Sequence, residues 1–221
     1  MKLAYEKFST IIETSPRTVT GIIIENSSML YRFLTDMRET VEGQAEKIVL
    51  SSDNKIVDFT KNVELLTDFI RFDFNQKALL SKIMTSIDQI SQNDKFYDKS
   101  QQILARIESH IMEMTIDFPC EFAYEKLNML SVIKAMGISL TDDYFCLEEK
   151  LLAYMDMVRD FLNKKLFILV NCRGFIPCHQ MQDFVNTALQ REHEILFVDN
   201  MSYPRLLQEK RLIIDEDLCE I

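Results

Sequence analysis

Short apolar runs alternate with helical apolar stripes towards both ends of the chain. The run Leu166–Val170 follows two lysines and precedes a polar turn, as expected for a strand buried on both faces of a sheet. Shorter runs at 21–24 and 195–198 predict two further strands. Apolar residues at helical spacing over 147–162 predict a helix before the run at 166–170, and those over 177–189 predict a helix between that run and 195–198. This alternation predicts a βαβ unit and an α/β fold.

The first predicted strand, at 21–24, leads directly into a predicted helix. Asn26, Ser27 and Ser28 form an N-cap cluster between them, and Ser27 or Ser28 is the expected cap of the helix. Further along, two apolar segments at 47–50 and 55–59 flank a polar turn. This arrangement predicts a β-hairpin or two short strands.

The pattern changes to long amphipathic helices in the middle of the chain. One apolar stripe runs from Leu79 to Ile90, and a second runs from Ile103 to Met114. These stripes predict a helical leg at residues 76–118. Residues 1–75 and 119–221 then form the α/β head.

Composition narrows the class of protein. A chain of 221 residues suits one large α/β domain, or a core with a helical appendage. No apolar stretch reaches the roughly 20 residues that cross a bilayer, and the start of the chain does not resemble a secretory signal, so we expect a cytoplasmic protein without a membrane partner. The net charge of −10 argues against a nucleic-acid partner unless basic residues are gathered locally.

The sequence contains little evidence for a nucleotide-binding or phosphoryl-transfer site. The turn after the first predicted strand, Glu25–Ser28, contains no glycine or lysine to hold a phosphate. Asp199 ends a predicted strand, where phosphoryl-transfer enzymes hold a metal, but a turn formed with Asn200 is the simpler interpretation. The three histidines lie far apart, without metal-ligand spacing. We therefore expect no bound nucleotide, no catalytic residues and no enzymatic activity.

Carboxylates gather before the third predicted helix of the central region, which spans 127–136. Asp117, Glu121 and Glu125 are spaced by four residues and would share one helical face if that helix began early. Their oxygens could then bind a hard cation such as calcium. From spacing alone, a solvated acidic turn beside Pro119 is the favoured alternative.

Five lysines form a second group of candidates. Lys126 and Lys134 are eight residues apart on the third predicted helix, and Lys150 lies early on the next helix. Lys164 and Lys165 precede the strand at 166–170. On spacing alone these lysines are ordinary solvated residues. Several copies brought together by symmetry could nevertheless form a positive surface on an acidic protein.

Three segments resemble one CRISPR family. Leu66–Asn75, Val132–Gly137 and Lys164–Asn171 occur in the same order and at similar distances as in the type II-A CRISPR-associated adaptation protein, the Csn-two family in its short form. The resemblance covers nearly the whole chain. Because each segment is short and hydrophobic, their order, their spacing and the total length carry it.

The resemblance implies both an architecture and a function. It implies a non-enzymatic protein with a helical leg and an α/β head. The head would be similar to P-loop nucleotide hydrolases but would lack the phosphate loop. The resemblance implies a homotetrameric ring that threads double-stranded DNA through a lysine-lined hole and prefers free ends. It further implies a role in spacer acquisition, alongside other CRISPR adaptation proteins.

The resemblance also assigns candidate site residues. Calcium would bind just before the third helix, with Glu121 and Glu125 as ligands; other residues stand where the family has further carboxylates. For DNA, Lys134, Lys164 and Lys165 lie inside the matching segments. Lys126 and Lys150 are DNA-binding candidates from helix geometry alone.

Two alternatives from other classes stay open at this stage. One is a nucleotide hydrolase with an atypical site near Asp199. The other is a helical interaction module in which the leg, about 76–114, binds a protein partner.

Overall fold

The computed structural model describes residues 1–221, which form two compact units. The α/β unit comprises Met1–Asp73 and Asp142–Ile221, and the helical unit comprises Phe74–Thr141. The helical unit therefore extends beyond residue 118, where the sequence analysis ended the leg. Two hydrogen bonds join the ends of this unit, since the Asn75 side chain accepts from the Leu140 N–H at 2.8 Å and donates to the Leu140 carbonyl at 3.2 Å.

The elements of the α/β unit, in chain order, are β1 (Lys2–Tyr5), β2 (Ile12–Glu13), β3 (Val19–Ile24), α1 (Ser27–Val41), β4 (Ile48–Ser52), β5 (Lys55–Val57), α2 (Phe59–Asn62), β6 (Val63–Leu66), α6 (Leu147–Leu162), β7 (Leu166–Val170), a short 3-10 turn (Cys172–Gly174), α7 (Cys178–Gln190), β8 (Glu194–Asp199) and β9 (Glu209–Ile214). The helical unit contains α3 (Lys77–Ser91), α4 (Tyr97–Thr115) and α5 (Met129–Ala135).

A five-stranded parallel sheet forms the centre of the α/β unit. Its order is β6-β7-β8-β3-β9, and Gly21 of β3 lies opposite Phe197 of β8. Every residue of β7 is buried, as expected for a strand covered on both faces. The predicted mixed α/β fold is confirmed.

A second, antiparallel sheet has the order β2-β1-β4-β5. The predicted hairpin is its β4–β5 pair, in which Ser52 lies opposite Lys55. Asp53 and Asn54 adopt positive φ angles of 50° and 59°, the conformation that a two-residue hairpin turn requires. No strand of this sheet pairs with a strand of the parallel one.

One apolar core joins the two sheets and α1. Leu3 and Leu50 of the antiparallel sheet, Phe33 and Met37 of α1 and Ile22 of β3 all belong to it. The core contains almost only apolar side chains, so its burial provides the main stabilisation of the unit.

A polar network lies at the margin of this core. The Tyr5 hydroxyl donates to Asp36 at 2.6 Å, and the Lys47 ammonium donates to the same carboxylate at 2.7 Å. Burial acts to raise the pKa of Asp36, but the hydrogen bonds from Lys47 and Tyr5 outweigh it and the pKa is lowered. Asp36 therefore stays ionised and links α1 to the antiparallel sheet.

The chain covers one edge of its own parallel sheet. Beyond β9 it turns back, and Ile213 and Ile221 exchange backbone hydrogen bonds of 3.0 and 2.8 Å. The Glu220 carboxylate holds this return in place by accepting hydrogen bonds from Ser9 and from the Thr10 N–H. The outer edge of β9 is thus paired near its end.

In the helical unit, α3 packs against α5. Some apolar side chains of α4 are not packed against the rest of the protein. The exposed fraction is 36–53% for Ile103, Ile107, Ile111 and Met114. We call these four residues the α4 stripe. No helix of the protein has the length and apolar character needed to cross a membrane.

Candidate nucleic-acid interface

The turn between β3 and α1 is bound to the end of the chain. The Glu25 N–H donates to the Ile214 carbonyl at 2.9 Å, and the Asn26 amide donates to the Glu216 carbonyl at 2.9 Å. The Asn26 side chain also accepts from the Met29 N–H and is the N-cap of α1. The predicted N-cap cluster is therefore confirmed, but its cap is Asn26 and not Ser27 or Ser28, because Asn26 has the extended backbone from which its side chain reaches the first turn.

Asp199 lies at the end of β8 and is fully buried. Its carboxylate pairs with the Arg173 guanidinium, with 3.2 Å between Oδ2 and Nε. The simpler interpretation of Asp199 as a turn residue is therefore wrong. Its side chain belongs to the interior, while the Asn200 N–H donates to the Asn171 side chain at 3.1 Å.

Arg173 lies at the centre of a buried charge cluster. Its Nη2 donates to Glu209 at 2.8 Å, and its guanidinium lies over the Phe197 ring at 4.4 Å. Glu209 also accepts two hydrogen bonds from Arg211. Gly21 allows this approach, because a Cβ at that position would lie 2.6 Å from a Glu209 carboxylate oxygen. We call Arg173, Asp199, Glu209 and Arg211 the buried charge cluster.

The two carboxylates of the cluster differ in their electrostatics. Burial raises the pKa of Asp199 to about 6, although the Arg173 charge opposes the shift. For Glu209, burial acts in the same direction, but hydrogen bonds from Arg211 and Arg173 outweigh it and lower the pKa. Glu209 is the ionised partner of Arg173 across the physiological range, whereas Asp199 titrates near its lower end.

Lys164 and Lys165 are adjacent but have different surroundings. The Lys164 ammonium donates to Glu64 at 2.7 Å, and its side chain is only 18% exposed. The Tyr154 hydroxyl donates to the other oxygen of Glu64. Lys165 is exposed and forms no ion pair; its backbone N–H bonds to the Asn62 carbonyl. Lys164 is thus a structural residue, and Lys165 is available to a ligand.

Lys150 of α6 is engaged within the α/β unit. Its ammonium pairs with Asp142 at 2.5 Å and lies over the Phe72 ring at 5.3 Å. A DNA contact by Lys150 would compete with both interactions.

Lys126 and Lys134 belong to the helical unit, where both are exposed and form no ion pair. The prediction that one helix carries both is wrong. Asn128 caps α5 by accepting from the Ser131 N–H, so the helix begins at Met129 and includes only Lys134.

Glu121 and Glu125 are also outside α5. Both are exposed in the segment between α4 and α5, which is not helical. Their four-residue spacing therefore does not place them on one helical face. No group of three or more His, Cys, Asp or Glu side chains is placed together to hold a metal ion. Calcium binding by Glu121 and Glu125 stays a prediction.

Comparison with known proteins shows the family to which the chain belongs. Residues 40–218 match the model of a CRISPR-associated protein family, Cas_Csn2, which is the Csn-two family. The chain belongs to this family. The resemblance noted in the sequence is therefore confirmed, and the protein is a CRISPR-associated Cas_Csn2 protein.

Solved structures give a similarity in fold. This Cas_Csn2 protein resembles Stu0660 of Streptococcus thermophilus with a TM-score of 0.56 and 16% identity, over 91% of this chain and 69% of that one. A putative ABC transporter ATP-binding protein from Pyrococcus furiosus matches over 96% of this chain and 94% of its own, with 9% identity and a TM-score of 0.39, which is too low to support an argument.

Of the five candidate lysines of this Cas_Csn2 protein, Lys126, Lys134 and Lys165 are exposed and form no ion pair. Sequence reasoning missed the buried charge cluster, in which Arg173 and Glu209 are 36 residues apart. The available signals were an arginine just after the apolar run of β7 and a carboxylate at the end of β8.

Proposed function

We propose that this Cas_Csn2 protein binds double-stranded DNA without sequence preference, as a homotetrameric ring that supports spacer acquisition. Membership of the family over residues 40–218 carries the proposal. The CRISPR association of the family implies nucleic acid or other Cas proteins as partners. The proposed role is binding and not catalysis.

The exposed lysines support a DNA contact. Lys126, Lys134 and Lys165 have no carboxylate partner, so each can pair with a phosphate without breaking an existing ion pair. Symmetry would repeat each lysine in every subunit. A ring that gathers these copies on one wall would have a positive interior although each chain carries a net charge of −10.

The α4 stripe supports self-association. Four apolar side chains follow one another along a single helix face and remain exposed in the isolated chain. Exposed apolar faces of this kind are typical of protein interfaces. The same stripe would also serve the second candidate function, a helical module that binds a different protein. The mass of the assembly distinguishes the two.

The proposed architecture of the α/β unit is a nucleotide-hydrolase-like sheet without a phosphate loop. The turn at Glu25–Ser28 has no glycine or lysine, and its polar groups bond to the end of the chain. Asp199, the residue on which the hydrolase alternative depends, pairs with Arg173. These contacts favour DNA binding over nucleotide hydrolysis. Calcium at Glu121 and Glu125 remains part of the proposal.

The ring model is tested by native mass measurement and by comparing linear with closed circular DNA of identical sequence. We expect a tetrameric mass and tighter binding to the linear form, because only DNA with ends can enter a closed ring. Equal affinity for both forms would contradict threading. A monomeric mass at micromolar concentration would contradict the ring and assign the α4 stripe to another partner.

The phosphate contact is tested by Lys165→Glu. We expect DNA affinity at low salt to fall about tenfold or more, with a shallower dependence on salt, because a phosphate contact is lost in each subunit. Fluorescence anisotropy over a salt series measures both quantities. Lys55→Glu is the matched control, since Lys55 is also exposed and unpaired in the α/β unit. Equal losses in the two variants would indicate a general charge effect and remove Lys165 from the interface.

A further inference from the structure

A cavity of about 120 Å³ lies in the α/β unit between the start of α7 and the loop before β9. Its polar wall residues are Arg173, Cys178, Gln182, Tyr203 and Arg205, and the rest of the wall is apolar. No carboxylate contributes to the wall. We call this space the α7 cavity. Arg173 is balanced by Asp199 and Glu209 behind the wall, so Arg205 supplies the uncompensated positive charge at the cavity.

Hydrogen bonds hold the loop that closes the α7 cavity. The Leu207 N–H donates to the Gln182 side chain at 3.0 Å, which fixes the loop to α7. The Leu206 N–H donates to the Glu209 carboxylate at 2.9 Å, and Arg205 donates to the Glu209 carbonyl at 3.2 Å. The cavity is therefore a built feature of the fold.

One buried donor at the cavity has no acceptor within the protein. Arg173 is only 4% exposed, yet its Nη1 makes no hydrogen bond. Arg205 forms no ion pair, since its one bond is to a neutral carbonyl. Tyr203 is half-buried and also lines the cavity. Buried donors normally have partners, so the free Nη1 of Arg173 points to a ligand that accepts, and the Arg205 charge and the Tyr203 hydroxyl lie on the same wall.

The start of α7 adds to the positive potential. This helix has 13 residues, and Cys178 at its first position lines the cavity. The first N–H groups of a helix have no acceptor within it, and the helix dipole places partial positive charge there. The apolar walls lower the local dielectric constant, which strengthens the attraction of these positive groups for an anion.

We propose that the α7 cavity binds a small oxyanion, namely a phosphate group. Arg173 and Arg205 would pair with its oxygens, and the Tyr203 hydroxyl and the N-terminal N–H groups of α7 would complete the contacts. The volume is several times the room that one water molecule needs, which accommodates the four oxygens of phosphate. The site is independent of the proposed DNA contact, because none of the candidate lysines lines it.

The test uses the full chain with inorganic phosphate as the probe, at constant ionic strength. Calorimetry is expected to detect binding in the millimolar range or tighter, and thermal unfolding is expected to shift upwards with phosphate, because the ligand binds only the folded state. Sodium chloride at the same ionic strength should not reproduce the shift. Failure of phosphate to bind the wild-type chain would overturn the proposal.

Arg205→Gln is the decisive variant. Arg205 is exposed at the rim and forms no ion pair, so the variant should fold, whereas removing Arg173 would leave the buried Asp199 carboxylate unpaired. We expect its phosphate affinity to fall about tenfold, the loss typical of one charge-assisted hydrogen bond. Arg17→Gln, an equal charge change at an exposed arginine elsewhere in the unit, should leave the affinity unchanged. Equal effects of the two variants would overturn the site.

The source of the phosphate group is resolved by a second probe. If AMP binds as well as inorganic phosphate and Arg205→Gln weakens both alike, the cavity accepts a phosphate monoester with its nucleoside directed outwards. If only inorganic phosphate binds, the ligand is the free ion. Both results support the oxyanion site. If AMP binds but Arg205→Gln does not weaken its binding, AMP does not bind in the α7 cavity.

Discussion

Lys164→Glu is expected to destabilise the α/β unit by about 3 kcal/mol or more, the cost of breaking a largely buried ion pair. The change would place a second carboxylate against Glu64, which already receives the Lys164 ammonium at 2.7 Å and the Tyr154 hydroxyl. Glu64 lies in β6 and is itself buried, so water cannot replace the lost partner. Urea unfolding followed by circular dichroism measures the change.

Lys165→Glu is the matched control for stability. Because Lys165 is exposed and unpaired, its change should alter the free energy of unfolding by about 0.5 kcal/mol or less. Lys164→Met should lie between the two variants, since it removes the ion pair without adding a like charge. If Lys164→Glu unfolds at the same urea concentration as Lys165→Glu, the Lys164–Glu64 pair does not stabilise the unit. A DNA-binding loss in Lys164→Glu alone would be a consequence of misfolding and not evidence for contact.

Asp199→Asn is expected to gain stability over the wild-type chain as the pH rises. The pKa of Asp199 increases from 3.8 to about 6 on folding, mainly through burial, so the folded state binds the additional proton between these values. Its contribution to wild-type stability is therefore fully present below about pH 4 and is lost as the pH rises through about 6. Asparagine resembles the protonated acid and lacks this titration.

The expected difference between Asp199→Asn and wild type is small near pH 4 and reaches about 3 kcal/mol in favour of the variant near pH 7. Chemical unfolding of both chains across this range measures it, and taking the difference cancels titrations that the two chains share. Arg173, Glu209 and Arg211 are the charged groups that face Asp199. Parallel stability curves, or a variant that loses stability relative to wild type as the pH rises, would contradict the raised pKa.

The local elements were largely predictable from sequence because they depend on near neighbours. Five consecutive apolar residues indicated β7, and every one of them is buried. Helical spacing indicated α6, whose bounds of Leu147–Leu162 agree with the predicted segment. The turn at Asp53 and Asn54 was indicated by polar residues between two strand-like segments.

The start of α5 shows where local reasoning failed. Spacing suggested that Glu121, Glu125 and Lys126 could share a helix with Lys134, but the Asn128 side chain begins the helix later. The Leu127 N–H instead bonds to Glu108 of α4 at 2.8 Å. Because this contact joins residues 19 apart, no local pattern could reveal it.

The difference between Lys164 and Lys165 was also beyond the sequence. Successive side chains entering a strand point to opposite sides, so one of two adjacent lysines had to differ from the other. Which one was buried depended on Glu64, a residue 100 positions away. The buried charge cluster and the α7 cavity could not be predicted either, because their residues come from segments that meet only after the sheet has formed.

The paired edge of β9 has a consequence for how copies of this chain can associate. Unpaired strand edges allow sheets of different molecules to join without limit, which leads to fibres and precipitation. Here the exchange of hydrogen bonds between Ile213 and Ile221 occupies the backbone groups that such growth would use, and Glu220 secures the closing segment. Extension of the sheet past this end of β9 is thereby blocked, so copies of the chain cannot associate by pairing strands there.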